Sequence, residues 1–277
     1  MNCVACGTVM DPVLAPAVTH PTCLMFEEPG GESAFDQMLK QKLTDIILWY
    51  DRQNPRSHQV AIGPSEIGDP CDRRVGYRLA GTKPCNTEFD PWAGIVGTAL
   101  HGWLDRAVNA WMKENGAEKF LTETELSFNE FVEGHSDLYS KDDAAVIDWK
   151  SAGPDVMKKV KKEGPSAGYQ IQTHIYGLMF EQRGYPVRKV SLVFLPRAGR
   201  LWDMYVWSAD YDRNVAISAM DRMYRIAQQI VSMDILNQSH LWEQVDPVFS
   251  NSCGFCPMYD PGRDPERGAD DTGCPGR

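Results

Sequence analysis

No stretch of the 277-residue sequence is apolar over the roughly 20 residues that a membrane-spanning helix requires. The first ten residues, MNCVACGTVM, also lack the basic start and the apolar core of a secretory signal. The sequence contains no internal repeat and no low-complexity segment. These absences predict a cytoplasmic protein, and the length of 277 residues predicts one large domain or two ordinary ones.

Basic residues are in the minority, and the net charge of −10 does not mark the chain as a nucleic-acid-binding protein. The charge is unevenly distributed, however, because residues 150–200 contain ten Lys and Arg against three Asp and Glu. This stretch includes the run KKVKK, which contributes Lys158, Lys159, Lys161 and Lys162. Such a run is often the solvated face of a helix, but its position after Lys150 favours a surface that attracts phosphate groups.

The spacing of apolar residues predicts helices mixed with strands. Helices are expected at 33–50, 93–115, 166–183 and 210–236. Strands are expected near 120–128, 131–140, 144–151, 188–196 and 200–208. This mixture predicts an α/β fold with a central sheet flanked by helices. We expect a small N-terminal module over residues 1–30, a core over 31–250 and a cysteine-bearing C-terminal segment over 251–277.

Two of these strands form a hairpin in GHSDLYSKDDAAVIDWKSAG, residues 134–153, and each carries a carboxylate. If Asp142-Asp143 is the turn, Asp137 lies opposite Asp148 with the Cβ atoms about 4.5–5.5 Å apart. The two like charges repel, and a divalent cation would reverse the sign of that interaction. Lys150 shares the face of Asp148, because side chains alternate along a strand. The hairpin therefore predicts a metal site with a lysine beside it; the alternative is a surface hairpin with an Asp–Lys pair.

Asp137 followed by Asp148-Trp149-Lys150 resembles the signature of the PD-(D/E)xK nuclease superfamily, with Asp as the second acid. Two further motifs resemble its RecB-like branch. The first is GTALH, which ends at His101, and the second is YQIQTHIYGL, in which Gln172 and Tyr176 lie four residues apart. The resemblance implies a restriction-endonuclease-like core over residues 31–250.

The same resemblance implies roles for these residues. Mg²⁺ or Mn²⁺ would be bound by His101, Asp137, Asp148 and the main-chain carbonyl of Trp149. An imidazole ligand favours Mn²⁺, because Mg²⁺ prefers oxygen ligands. Lys150 would be the catalytic lysine, and Gln172 and Tyr176 would orient it or contact the DNA backbone. Gln170 is the alternative position for the motif glutamine, and Glu125 is a candidate additional acid.

Eight cysteines in a reducing compartment suggest metal ligands rather than disulfides. Cys71 precedes the histidine helix, while Cys253, Cys256 and Cys274 follow the core. This layout resembles the iron–sulfur nucleases of the RecB-like branch, the AddB-type helicase–nucleases and the CRISPR-associated Cas-four exonucleases with their phage relatives. The resemblance implies a [4Fe–4S] cluster on these thiols, although zinc suits the same ligands. Either metal would clasp the C-terminal segment onto the region around Cys71.

A separate set of ligands lies in the N-terminal module. Cys3, Cys6, His20 and Cys23 have a spacing that suits a tetrahedral structural zinc. Cys85 is left over and is most simply a free thiol.

The expected function is therefore a metal-dependent DNA exonuclease. The resemblance implies action on single-stranded DNA ends in recombination or repair, in the cytoplasm of a bacterium or a phage-infected host. A single-strand-annealing protein is an expected partner, and the KKVKK lysines are expected to bind DNA. Two alternatives stay open: a non-catalytic DNA-binding or assembly module with structural metals, and a spacer-processing subunit of a CRISPR adaptation complex.

Overall fold

The structure is a computed structural model, which describes residues 33–53, 61–87, 90–262 and 273–276. The chain separates into two compact units, residues 1–54 and 55–277. The described part of the first unit contains helix α1 (Ala34–Asp51), which begins after a capping box formed by Ser33 and Asp36. No helix within the described ranges is long and apolar enough to cross a membrane.

The second unit is built around a five-stranded mixed sheet. Its strands are β1 (Phe120–Asn129), β2 (Val132–Ser140), β3 (Ala145–Ala152), β4 (Lys189–Pro196) and β5 (Tyr205–Asp210). They lie in chain order, and all neighbours are antiparallel except β3 and β4, which are parallel. A parallel pair needs a crossover connection, and helices α5 (Pro154–Glu163) and α6 (Ala167–Gln182) provide it.

The remaining helices surround this sheet. They are α2 (Pro64–Ile67), α3 (Asp72–Leu79), α4 (Trp92–Asn115) and α7 (Arg213–Ser232). Helix α4 contacts β1 and β3, whereas α6 contacts β1, β3, β4 and α7. Fully buried side chains such as Ile175, Met179 and Phe180 of α6 belong to the main apolar core. The predicted class, an α/β fold with helices around a central sheet, is confirmed.

Helix α2 approaches α6 and β2 at glycines. A Cβ atom on Gly68 would lie 2.6 Å from the carbonyl oxygen of Gly168, and one on Gly168 would lie 2.8 Å from that of Gly68. On the sheet side, a Cβ atom on Gly134 would lie 2.8 Å from Pro64 Cδ. A larger residue at any of these positions would push the segments apart. The lack of side chains at these glycines therefore allows α2 to pack close to both elements.

The β2–β3 hairpin has the register that the sequence predicts, with pairs Leu138–Ile147, Tyr139–Val146 and Ser140–Ala145. Its turn is longer than the predicted Asp142-Asp143 turn and covers residues 141–144. Ala144 takes a left-handed φ of 51° to close it. The predicted turn length was wrong, but the register is unchanged because the strands shorten equally on both sides.

Two predicted element boundaries also differ from the structure. The last strand begins at Tyr205 rather than at residue 200, because Leu201–Asp203 form a 3-10 turn. The last long helix ends at Ser232 rather than at 236. The run KKVKK lies in α5, whose Met157 and Val160 are buried against the sheet.

Candidate functional site

Asp137 of the hairpin contacts two different elements. Its Oδ1 atom lies 3.0 Å from His101 Nδ1 on α4. Its Oδ2 atom accepts a hydrogen bond of 2.7 Å from the main-chain N–H of Trp149 on β3. The hydrogen bond between His101 and the Asp137 carboxylate raises the pKa of His101 above its usual value, although burial of the ring acts in the opposite direction. The structure thus brings the predicted histidine to the predicted acid.

Asp148 lies in a ring of three hydrogen-bonding and charged groups. Its Oδ2 atom is 2.6 Å from Lys150 Nζ. Its Oδ1 atom accepts from Gln172 Nε2 at 3.0 Å, and Lys150 Nζ in turn donates to Gln172 Oε1 at 3.2 Å. Gln170, the alternative position, donates instead to the carbonyl of Pro165. The motif glutamine that reaches the hairpin is therefore Gln172.

The ionisation of this ring follows from its burial. Asp148 is only 3% exposed, and burial raises its pKa to about 6, with the Lys150 ammonium limiting the rise. Burial also opposes a charge on Lys150, but the adjacent Asp148 carboxylate outweighs it and raises the Lys150 pKa. At neutral pH the two side chains therefore form an ion pair. The simple repulsion expected between Asp137 and Asp148 is replaced by a separate partner for each acid.

One oxygen of this ring has an unsatisfied hydrogen-bonding capacity. Asp148 Oδ2 is buried, and the Lys150 ammonium at 2.6 Å occupies only one of its acceptor directions. Within the described residues it has no other hydrogen-bond partner. A buried carboxylate oxygen in this state has room for a further positive ligand.

Glu123 of β1 joins the site although the sequence suggested Glu125. Ligand atoms of His101, Glu123 and Asp137 all lie within 4.8 Å of one another. Glu125 is exposed on the same strand. Glu123 has a φ of 39°, a left-handed conformation that is strained for a residue with a side chain. Such strain is concentrated at functional sites, and here it occurs at a side chain that reaches the histidine–aspartate pair.

Two tyrosines of α6 lie beside the ring. Tyr176 is buried, and a Cβ atom on Gly134 would lie 3.0 Å from its hydroxyl. Burial raises the pKa of Tyr176 far above its usual value, so the hydroxyl stays protonated. Tyr169 is partly exposed, and its ring centre lies 4.8 Å from Lys150 Nζ. The burial of Tyr176 favours a positioning role over direct contact with DNA.

Comparison with known proteins yields only distant similarity. No protein-family model matches the sequence, and no curated protein matches it significantly. Among solved structures, SSO0001 is 18% identical over 78% of this chain and 94% of its own, with a TM-score of 0.48. A phage-related exonuclease from Haemophilus somnus 129PT is 16% identical over 58% of this chain and 80% of its own, with a TM-score of 0.42. An alkaline exonuclease from Laribacter hongkongensis is 14% identical over 64% of this chain and 91% of its own, with a TM-score of 0.45. Similarity at this level assigns neither a family nor a reaction, so the function has to be inferred from the side chains.

Four thiols from distant parts of the chain line a single cavity. They are Cys71, Cys253, Cys256 and Cys274, all of them free. Cys71 is the N-cap of α3, and Cys274 forms an isolated bridge with Tyr259. No three of the four sulfurs lie within 4.8 Å of one another. Cys85 is not among the residues that line the cavity, and its Sγ lies 3.8 Å from the carbonyl oxygen of Pro257.

Hydrogen-bond donors point at three of these sulfurs. The main-chain N–H of Val248 donates to Cys71 Sγ at 3.4 Å, and that of Ser250 donates to Cys253 Sγ at 3.4 Å. Arg73 Nη1 lies 3.6 Å from Cys274 Sγ. Arg73 is only 3% exposed. Its Nε and Nη2 atoms donate to main-chain carbonyls. Burial raises the pKa of the fourth thiol, Cys256. Hydrogen bonds to sulfur are a common feature of metal–thiolate sites.

Two sets of predicted residues remain: the N-terminal zinc ligands and the KKVKK lysines. The zinc set Cys3, Cys6, His20 and Cys23 lies outside the described residues, and the zinc site stays a prediction. The four KKVKK lysines of α5 are exposed: Lys158, Lys159, Lys161 and Lys162.

Proposed function

We propose that this protein is a metal-dependent deoxyribonuclease that removes nucleotides from DNA ends by PD-(D/E)xK chemistry. The observation that carries the proposal is the convergence of His101, Asp137, Asp148 and Lys150 from a helix and two strands. A structural hairpin would not need a buried lysine–aspartate pair next to a histidine–aspartate pair, because burying charges costs free energy of folding even when they are paired. Titratable groups with shifted pKa values in such clusters are typical of functional sites.

The residues present fit a divalent cation. His101, Glu123 and Asp137 already bring ligand atoms within 4.8 Å of one another, and Asp148 Oδ2 can accept a further positive ligand. The main-chain carbonyl of Trp149 completes the proposed ligand set. A bound Mn²⁺ or Mg²⁺ would polarise the scissile phosphodiester and lower the pKa of a water molecule. The imidazole favours Mn²⁺.

The remaining side chains act on the substrate and on one another. Lys150 keeps a positive charge at Nζ, where it offsets the negative charge that develops on the phosphate and helps to place the attacking water. Gln172 accepts from that ammonium and donates to Asp148, so it fixes the direction in which Nζ points. Tyr176 supports this arrangement from the core side.

DNA is the proposed substrate because exposed lysines follow the catalytic strand. Helix α5 begins at Pro154, four positions after Lys150, and presents the KKVKK lysines to solvent. This surface would follow a phosphate backbone. Single-stranded ends, a role in recombination or repair, and a single-strand-annealing partner are the finer proposals.

A direct assay tests the activity. End-labelled single-stranded and double-stranded DNA is incubated with the protein and Mn²⁺, and the release of nucleotides is followed over time. Nucleotide release that requires the metal and is lost in Asp137→Ala supports the proposal. DNA binding without cleavage under every metal condition would instead identify the non-catalytic module.

Metal affinity should depend on pH in a defined direction. Asp148, with a pKa of about 6, has to lose its proton before it can bind a cation, and so does His101 with its raised pKa. Below these pKa values, each proton that has to be released should make the affinity for Mn²⁺ rise by up to roughly tenfold per pH unit. Above them the affinity should level off. Titration calorimetry in buffers of different ionisation enthalpy measures both the affinity and the protons released. These groups should lose their protons between about pH 5 and about pH 8. An affinity for Mn²⁺ that stays constant over this range would contradict the ligand set.

We propose further that the four-cysteine cavity holds a [4Fe–4S] cluster. Zinc in a tetrahedral thiolate site, with Zn–S bonds of about 2.3 Å, would draw the sulfurs to roughly 3.8 Å apart. The gathering of four free thiols around one cavity and the donors that point at three of them support a cluster, since hydrogen bonds to sulfur are a common feature of such sites.

Metal analysis tests the cluster. Protein purified without oxygen should be brown and contain about four iron atoms per chain, with about one zinc if the N-terminal set is also filled. Cys253→Ala should remove the iron and the colour and lower the melting temperature. The matched control is Cys85→Ala, which changes a thiol beside the same segment but outside the cavity and should keep both. Colourless protein with zinc in place of iron would overturn the cluster.

A further inference from the structure

The loop between β4 and β5 exposes a large aromatic side chain next to the lysine helix. Trp202 is 77% exposed and Leu201 is 63% exposed. Two contacts hold the turn that carries them: Arg200 pairs with Asp203 at 3.3 Å, and Lys161 Nζ donates to the carbonyl of Asp203 at 2.9 Å. The loop and α5 are thus joined directly at Lys161.

This surface is positively charged in an acidic protein. Residues 154–163 and 197–203 together contain six basic and three acidic side chains. Two of the acids, Asp203 and Glu163, are already paired with Arg200 and Lys162. The surface is therefore complementary to a polyanion, and it is not a general apolar patch.

The loop also lies close to the catalytic strand. The main-chain N–H of Arg197 donates to the carbonyl of Ala152 at 2.9 Å. Ala152 follows Lys150 by two positions, which corresponds to about 7 Å along a strand. A nucleic-acid chain that passes Lys150 can continue directly onto the loop and α5.

We propose that Trp202 is a stacking platform for a base of single-stranded DNA, with α5 and the loop arginines holding the phosphates on either side. The inference rests on the proposed nuclease function and deepens it by naming the substrate class. An exposed indole between cations suits a single strand, because the bases of a duplex are already stacked on one another. Every base offers a π-face, so the contact is independent of sequence.

Binding of labelled oligothymidylate tests the platform, with fluorescence anisotropy measured without divalent metal so that no strand is cut. Trp202→Ala should weaken binding by roughly 5- to 150-fold, the range expected for the loss of one stacked base. Trp202→Phe should keep most of the affinity. Trp92→Ala, which removes another exposed tryptophan (55%) from the start of α4, should bind as the unchanged protein does.

A fully paired, blunt-ended duplex made from two separate strands provides the second comparison. Trp202→Ala should bind it as tightly as the unchanged protein. Unchanged binding of the single strand by Trp202→Ala, or an equal loss for strand and duplex, would overturn the platform. If no variant cleaves DNA but the single-strand contrast persists, the nuclease proposal fails and the platform stands. If the unchanged protein does not bind the single strand, the platform fails, and the cleavage assay on double-stranded ends decides the nuclease proposal separately.

Discussion

Replacing Lys150 with alanine should lower the rate of DNA cleavage by roughly 10²- to 10³-fold, the usual effect of removing one group that stabilises transition-state charge. The loss should appear in kcat, because the ammonium acts on charge that develops only during the reaction. Binding of Mn²⁺ should be largely retained, since Lys150 is not a proposed ligand. Single-turnover cleavage and calorimetric titration of the same preparation separate the two effects.

A matched lysine controls for loss of charge alone. Lys113→Ala removes an exposed lysine from the last turn of α4, and it should cleave DNA at the rate of the unchanged protein. Lys150→Arg should not restore activity, because a guanidinium cannot reproduce the short contact between Nζ and Asp148 Oδ2. Cleavage near the normal rate in Lys150→Ala would place the chemistry elsewhere.

Replacing Asp148 with alanine should lower the free energy of unfolding of the metal-free protein by about 3–5 kcal/mol at neutral pH, the usual cost of leaving a buried charge without its partner. The Lys150 side chain is only 17% exposed, so its ammonium would stay desolvated after the carboxylate is gone. Metal binding and cleavage should be lost together. Urea denaturation in the presence of a chelator measures the stability.

The double variant Asp148→Ala with Lys150→Met tests the cause. It removes both charges, and it should recover much of the stability while remaining inactive. A single Asp148→Ala variant as stable as the unchanged protein would mean that the ion pair does not form in solution.

The pH dependence of stability offers a further check, because the raised Asp148 pKa means that the folded state binds a proton more tightly than the unfolded state. The contribution of Asp148 to the free energy of unfolding should therefore fall as pH rises from about 4 to about 6.

The sequence predicted the hairpin well because its register depends on a two-residue period and a short turn. The register was correct even though the turn was two residues longer, since a symmetric change leaves the pairing intact. An Asp–Lys pair was predicted only for the alternative of a surface hairpin, and a buried pair of Asp148 with Lys150 on one strand was not. Sequence spacing placed both on one face of β3 but could not show that Lys150 Nζ turns toward Asp148 Oδ2.

The choice between Glu123 and Glu125 shows what the two-residue period alone does not decide. Strict alternation puts both acids on the same face of β1, and the position of each along β1 relative to β2 distinguishes them. Glu123 reaches His101 and Asp137, whereas Glu125 is exposed. The pairing of β1 with β2 keeps one register on both sides of Glu123, with Thr122 opposite Leu138 and Thr124 opposite Ser136, so Glu123 lies level with Asp137, whereas Glu125 pairs with His135. Nothing in the sequence LTETELSF fixes this register or signals the left-handed φ of Glu123.

The cysteine cavity joins residues about 200 positions apart, and this separation has a consequence for the order of events during synthesis. At 5–20 residues per second, a ribosome takes roughly 10–40 s to reach Cys274 after it has made Cys71. The strands and helices that carry His101, Asp148 and Gln172 emerge within that interval. Cys71 therefore has no partner thiols until the segment with Cys253, Cys256 and Cys274 emerges, and the proposed four-thiol site can be completed only after the proposed catalytic side chains have been made. If the proposed cluster occupies the cavity, the supply of iron during growth should affect how much protein completes this site, and not whether the central sheet can form.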